Sequence, residues 1–136
     1  MGRASLNLLL DTHIWVWSGL QPRKLSRRVT KLLSDPRNEQ WISPISVWEI
    51  FTLAKKGRLR LDGGPSAWIS AGLENPDLKH AALTHIVALA IGEITLPHSD
   101  PADILLAATA RVYDLTLLTA DENLMKGRGY KVLANE

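Results

Sequence analysis

Four carboxylates from distant parts of the chain, Asp11, Glu49, Asp103 and Asp121, are the residues whose placement points to chemistry. Asp11 closes the run 6–10, apolar but for Asn7, and Asp121 follows the run 115–118, apolar but for Thr116, through Thr119 and Ala120. Strands apolar on both faces belong to parallel sheets covered by helices. The ends of parallel strands share one edge, which is where α/β proteins bind ligands. Glu49 and Asp103 are each read in the first turn of a helix that follows a loop from that edge. Acids gathered within a few ångströms repel one another, and at least one protonates unless a cation joins them. Oxygen donors with neither His nor Cys in the set suit Mg²⁺ or Mn²⁺ rather than zinc. The chemistry such an ion supports here is hydrolysis of a phosphodiester.

Each acid taken alone also has a structural explanation. Asp11 can cap a helix beginning near Thr12, and Asp121 can cap a turn that runs to Lys126. Glu49 fits the third position of a capping box opened by Ser46. Asp103 sits where a helix dipole favours negative charge. The convergence of all four, rather than any one of them, carries the reading.

The elements that must position these acids follow from the pattern. Strands are expected at 6–10 and 115–118, with a short strand at 41–43, a weaker one at 81–83 and a final edge strand at 130–133. Helices are expected at 26–33, 46–56, 65–73, 84–93 and 101–113, the last capped by Asp100 with Pro101 in its first turn. Along that helix Ile104, Leu105, Ala108 and Val112 are read as the buried stripe. Strands alternating with helices predict an α/β sandwich built on a mainly parallel sheet of four to five strands. At 136 residues, with no repeat or long linker, the chain reads as one domain over 1–136 with its core at about 6–133.

Composition narrows the class. There is no cysteine, which excludes disulfides and thiolate metal sites. No apolar run approaches the roughly 20 residues that span a bilayer, and residues 1–5 do not read as a signal peptide, so a cytoplasmic location follows by default. Setting the four acids aside leaves 16 basic against 10 acidic side chains, a basic surface around an acidic pocket. That distribution suits a polyanion substrate. Arg23, Lys24, Arg27, Arg28 and Lys31 form one basic group, and Lys55, Lys56, Arg58 and Arg60 another. Arg23, Lys24, Arg27, Arg28, Lys55, Lys56 and Arg58 are candidates for RNA contact; solvated helix faces are the competing explanation. The first group also suits an acidic protein segment. His13 and His98, beside site acids, are read as packing locally rather than moving protons, and Trp48 as a packing anchor that positions Glu49. Of Trp15 and Trp17, one is expected in the core and the other at a partner.

With these motifs in order, the sequence resembles the PIN-domain ribonucleases, and most closely the VapC-like toxins of toxin–antitoxin pairs. Leu8-Leu9-Leu10-Asp11-Thr12-His13 is similar to the family's opening motif, and Ile45-Ser46-Val47-Trp48-Glu49-Ile50 to its second. His98-Ser99-Asp100-Pro101-Ala102-Asp103 is similar to the third and Leu118-Thr119-Ala120-Asp121 to the fourth. The resemblance implies a PIN-like three-layer sandwich and a Mg²⁺- or Mn²⁺-dependent endoribonuclease. It implies Asp11, Glu49, Asp103 and Asp121 as the acidic quartet, with an antitoxin partner and a homodimer. Thr119 is implied as a hydroxyl orienting a carboxylate or water, and Asp100 as either a neighbour of the metal or simply a helix cap. One departure is Ile104, where relatives often carry an arginine, so substrate affinity is expected to be weaker or differently arranged.

Rivals lack their signatures. A receiver-type signalling domain needs an early acidic pair and a late lysine; a haloacid dehalogenase-like phosphatase needs an aspartate where this chain has His13. A catalytically silent PIN-like binding module keeps the fold without the chemistry. DNA as substrate also stays open, since nothing in the motifs reads a 2′-hydroxyl.

Overall fold

A computed structural model describes residues 5–136 of the chain. Most of the stretch read as free of a signal peptide therefore lies outside the described residues. Five parallel strands form one sheet: β1 (Asn7–Leu10), β2 (Glu39–Ile42), β3 (Leu78–His80), β4 (Thr116–Thr119) and β5 (Lys131–Ala134), in the order β3-β2-β1-β4-β5. The chain first winds outward from β1 through β2 to β3, then returns to the other side of β1 for β4. The order thus reverses between β1 and β4, which are paired with Leu10 opposite Leu118. Connections leaving in opposite directions open a crevice at the carboxyl ends of these two strands.

Leu8, Leu9 and Leu10 of β1 and Leu117 and Leu118 of β4 are apolar in succession because helices cover both faces of the sheet. Leu8, Leu10 and Leu118 point into one core layer, with Ile14 and Trp15 of α1 (Thr12–Leu20), Val29 of α2 (Arg27–Ser34), Ile50 of α3 (Pro44–Lys55) and Ile69 of α4 (Pro65–Leu73). Leu9 and Leu117 point the other way, onto Leu106, Ala107 and Ala110 of α6 (Pro101–Val112). Between these helices in sequence, α5 (His85–Ala90) is capped by Thr84, whose hydroxyl accepts from Val87 N at 3.2 Å. A four-residue α7 (Glu122–Met125) adds Leu124 to the second layer. The result is the expected three-layer sandwich. Leu106 has no exposed surface; Leu106→Ala is expected to cost about 2–5 kcal/mol in urea unfolding, from lost transfer energy plus the cavity left behind.

Several local expectations need correction. The capping box at Ser46 is not formed, because the helix starts earlier: Ser43 caps it by accepting from Ile45 N at 3.1 Å, and Pro44 takes the first position. Glu49 consequently lies in the second turn of α3, not the first. The weak strand expected at 81–83 is instead β3 at Leu78–His80, and the strand expected at 41–43 begins at Glu39. On α6 the buried stripe is rotated: Leu106, Ala107 and Ala110 are in the core with Ala108, while Ile104, Leu105 and Val112 are half-buried. Trp48 is no packing anchor, being 57% exposed on the outer face of α3. No helix among the described residues is long and apolar enough to cross a membrane.

Candidate acidic site at the sheet switch point

Each of the four acids reaches the crevice from a different element. Asp11 leaves β1 and caps α1, accepting from Thr12 N at 2.7 Å. Asp121 stands just beyond β4 and caps α7, accepting from Asn123 N at 2.8 Å. Asp103 sits in the first turn of α6, and Glu49 on α3 above Thr12. The local explanations and the convergence are therefore both true for Asp11 and Asp121. A cap uses one carboxylate oxygen and leaves the other available to a further partner.

Hydroxyls and one amide hold the remaining oxygens. Thr119 Oγ1 donates to Asp11 Oδ2 at 2.6 Å and accepts from Asp121 N at 3.0 Å, so one β4 side chain ties two of the acids together. Thr12 Oγ1 lies 2.6 Å from Glu49 Oε1 and 2.9 Å from Ser46 Oγ. A hydroxyl has one proton, and the carboxylate can only accept; Thr12 therefore donates to Glu49 while Ser46 donates to Thr12. Asn123 Nδ2 donates to Asp103 Oδ2 at 2.9 Å, and its amide is itself clamped on His98, accepting from His98 N at 2.8 Å and donating to His98 O at 3.1 Å.

Sequence reasoning missed Thr12, Ser46 and Asn123. Their spacing carried a signal: Ser46 is one helical turn before Glu49, so both face the same way, and Asn123 follows Asp121 by two. Asn123→Ala should leave the fold intact but free Asp103; its expected effect is a roughly tenfold loss of nuclease kcat, measured beside an unchanged far-UV CD spectrum.

The electrostatics are those of crowded acids. Burial pushes Glu49 up to about 7, against the Thr12 hydrogen bond, with the charges of Asp11, Asp103 and Asp100 adding to the rise. Burial likewise raises Asp103 to about 6, opposed by Asn123 and reinforced by Asp121, Asp100 and Asp11. Asp11, only 6% exposed, is raised chiefly by burial and partly by Asp121, while Thr119 and Thr12 pull it down. The quartet thus forms one electrostatic neighbourhood. Tyr130, whose hydroxyl donates to Leu124 O, is pushed up to about 12 by burial and by Asp103 and Asp121.

A cavity of about 220 Å³ opens over Asp11, Asp121, Ala120, His13 and Trp17. Among the described residues, no three Asp, Glu or His side chains stand close enough together to hold a metal ion as they are placed. Each acid is held by its own hydroxyl or amide, and like charges keep their distance. The donor set nonetheless fits a hard divalent cation: oxygen throughout, partly desolvated, and of a size that leaves room for retained waters, as Mg²⁺ prefers.

Asp100 spends Oδ1 on capping α6, accepting from Ala102 N at 2.9 Å and Asp103 N at 3.1 Å, and adds its charge to the field at Glu49 and Asp103. His13 is exposed and its ring lies 5.6 Å from that of Trp17; His98 meets the site through its backbone. Of the two α1 tryptophans, Trp15 is in the core and Trp17 is half-buried beside the cavity. The basic candidates separate. Lys24 and Arg58 line a groove next to the acids, whereas Arg27 and Arg28 line a different hollow with Lys31 on α2. Arg23, Lys55 and Lys56 are exposed and line neither.

Comparison with known proteins agrees with this architecture. The family model described as PIN domain matches residues 8–128. The chain belongs to the PIN-domain family. Ribonuclease VapC22 of Mycobacterium tuberculosis is 30% identical to this PIN domain over 124 residues, covering 89% of this chain and 92% of that protein. Among solved structures, VapBC2 from Rickettsia felis, bound to a promoter DNA fragment, superposes with a TM-score of 0.72 at 17% identity, covering 96% of this chain and 100% of the other. DNA-bound VapBC from Salmonella typhimurium gives 0.66 at 19% identity, covering 95% and 98%. At such identities the superpositions speak for the fold, and they place the PIN sandwich over nearly the whole chain.

Proposed function

We propose that this PIN domain is a metal-dependent endoribonuclease, the toxin of a toxin–antitoxin pair, and that residues 1–136 fold as a single domain. The observation that carries the reading is the shared electrostatics of the four acids. Carboxylates from separate elements border the sheet switch point, and burial with mutual charge repulsion raises three of them above their ordinary protonation range. The ribonuclease name of the Mycobacterium relative and the VapBC neighbours support the same direction.

In this reading Asp11, Glu49, Asp103 and Asp121 hold Mg²⁺ or Mn²⁺. A bound ion of this kind supplies charge neutralisation and Lewis acidity for attack on a phosphodiester. Thr119 and Thr12 fix the Asp11 and Glu49 carboxylates in orientation, Asn123 does so for Asp103, and the buried floor of the crevice excludes bulk water from one side of the reacting phosphate. A partner finds apolar surface in exposed Trp48, Ile86 and Leu89, which suits either the antitoxin or a second copy of the chain.

The test is digestion of total RNA by the purified protein with added Mg²⁺ or Mn²⁺, with the ends mapped. Cleavage that is abolished by chelator and leaves 5′-phosphate and 3′-hydroxyl ends is expected. Intact RNA under all metal conditions would favour a silent binding module, and cleavage of DNA alone would change the substrate class.

A further inference from the structure

The cavity over Asp11 and Asp121 has no Lys or Arg in its lining, and Ile104 places an apolar side chain directly after Asp103. A phosphate brought to the acids must therefore have its flanking charge balanced elsewhere. A groove of about 350 Å³ runs from the acid cavity between α1 and the end of α3, sharing His13 and Trp17 with it. Its lining includes Lys24, Arg58 and Arg60 and no acidic residue. Among the described residues none of these three cations is paired with a carboxylate. Lys24 Nζ instead stands 5.4 Å from the centre of the Trp17 ring. Between the cations the lining is mixed, its apolar part coming from Val16, Trp17, Leu20, Leu53 and Leu59, with Leu20 44% exposed.

We infer that this groove is the track on which single-stranded RNA lies beside the scissile phosphate, with Arg58, Arg60 and Lys24 holding backbone phosphates and Trp17 and Leu20 offering a surface to a base. The inference deepens the ribonuclease reading and rests on it. Three observations select this occupant. Free cations along a groove match a polyanion. Continuity with the acid cavity puts neighbouring nucleotides of one strand in both places. Aromatic and apolar side chains set among the cations, Trp17 and Leu20 foremost, match a strand whose bases are splayed; a duplex presents sugar and phosphate and leaves them uncovered. An acidic protein segment would share the cations but would meet repulsion where the groove enters the quartet. The cations of α2 line a separate hollow and lie off this track.

Binding is measured in chelator, where cleavage plays no part, with a mixed-sequence single-stranded RNA oligonucleotide and its duplex as probes. Arg58→Ala/Arg60→Ala is compared with Arg27→Ala/Arg28→Ala, which removes the same charge from α2; all four side chains are exposed, and CD checks the folds. The groove pair is expected to weaken single-strand binding about tenfold and to lower the slope of log K against log salt by about 1.4, two phosphate contacts at roughly 0.7 each. The α2 pair should match wild type, and the duplex should bind more weakly than the single strand. Equal losses in the two pairs, loss confined to α2, preference for duplex, or no RNA binding at all would each overturn the track. So would a groove pair that binds RNA normally and loses only its protein partner. Cleavage assays separate the two readings. Groove-dependent binding without metal-dependent cleavage leaves the track standing and removes the nuclease; cleavage by wild type and groove pair alike does the reverse.

Discussion

Asp11→Asn is expected to lower RNA cleavage by at least about 10³-fold while leaving the metal-free protein as stable as wild type or more so. The loss is set by what the residue does at the site: it removes one full negative charge from the cation's seat, a larger change than deleting a single transition-state hydrogen bond, which costs on the order of 10²–10³. The stability effect has the opposite sign because Asp11 is 6% exposed and its ionised form is penalised by burial. Asparagine keeps the shape. Its Oδ1 still accepts from Thr12 N, and its Nδ2 donates to Thr119 Oγ1, which has a second lone pair beside the one used by Asp121 N. The Thr119 hydroxyl proton then loses its acceptor, so the gain is modest, a rise of about 3 °C in Tm in chelator. Kinetics with excess Mg²⁺ or Mn²⁺ and a melt in chelator check the two halves together. Full activity removes Asp11 from the site, and a large drop in Tm refutes the repulsion argument.

The second large effect is a pH dependence that a divalent ion should invert. Folding raises Glu49 from 4.5 to about 7 and Asp103 from 3.8 to about 6, burial being the main cause in each. Between those ordinary and folded values the native state binds more protons than the unfolded chain, so stability falls as pH rises. Below about pH 4 both states are protonated and the penalty is absent; above about pH 7 it is fully present. Both side chains keep some access to solvent, which screens the effect to roughly 2 kcal/mol for the pair. Melts in chelator should therefore show higher stability near pH 5 than near pH 8 from this site. An ion that binds only the ionised carboxylates adds stability by mass action, about 2.7 kcal/mol at a hundredfold excess over Kd. Its increment should be larger at pH 8 than at pH 5. A chelated protein whose stability is flat or rising over that window, or a metal increment independent of pH, contradicts this electrostatic account.

Much of the fold was legible because its central strands leave no ambiguity of face. Leu8, Leu9 and Leu10 are apolar in succession since helices cover both sides, and the same holds for Leu117 and Leu118. Asp100-Pro101 marks the start of α6 through a cap and a first-turn proline together. Where signals competed, the reading slipped. Ser46 and Glu49 have capping-box spacing, but Ser43-Pro44 one turn earlier is the stronger start. Leu78-Lys79-His80 forms an edge strand that buries almost nothing, so no hydrophobic pattern announced it. Trp48 lies on a helix of otherwise mixed polarity, and periodicity alone does not say which side of it faces the sheet. Asp11, Asp103 and Asp121 were legible as candidates from their places at strand and helix ends, whereas Glu49 lies one turn further into α3 than its spacing from Ser46 suggested. The residues that orient them, Thr12, Ser46 and Asn123, became visible only as contacts across the chain.

Titration of Mn²⁺ into the metal-free protein, with the free ion followed by electron paramagnetic resonance, tests the shared cation seat most directly. Wild type should take up the ion, and Asp11→Asn, Glu49→Gln, Asp103→Asn and Asp121→Asn should each weaken uptake while Glu122→Gln, on the same α7 turn but outside the quartet, should not. Uptake that survives all four changes, or fails already in the wild type, would mean that these carboxylates gather for some purpose other than holding a metal.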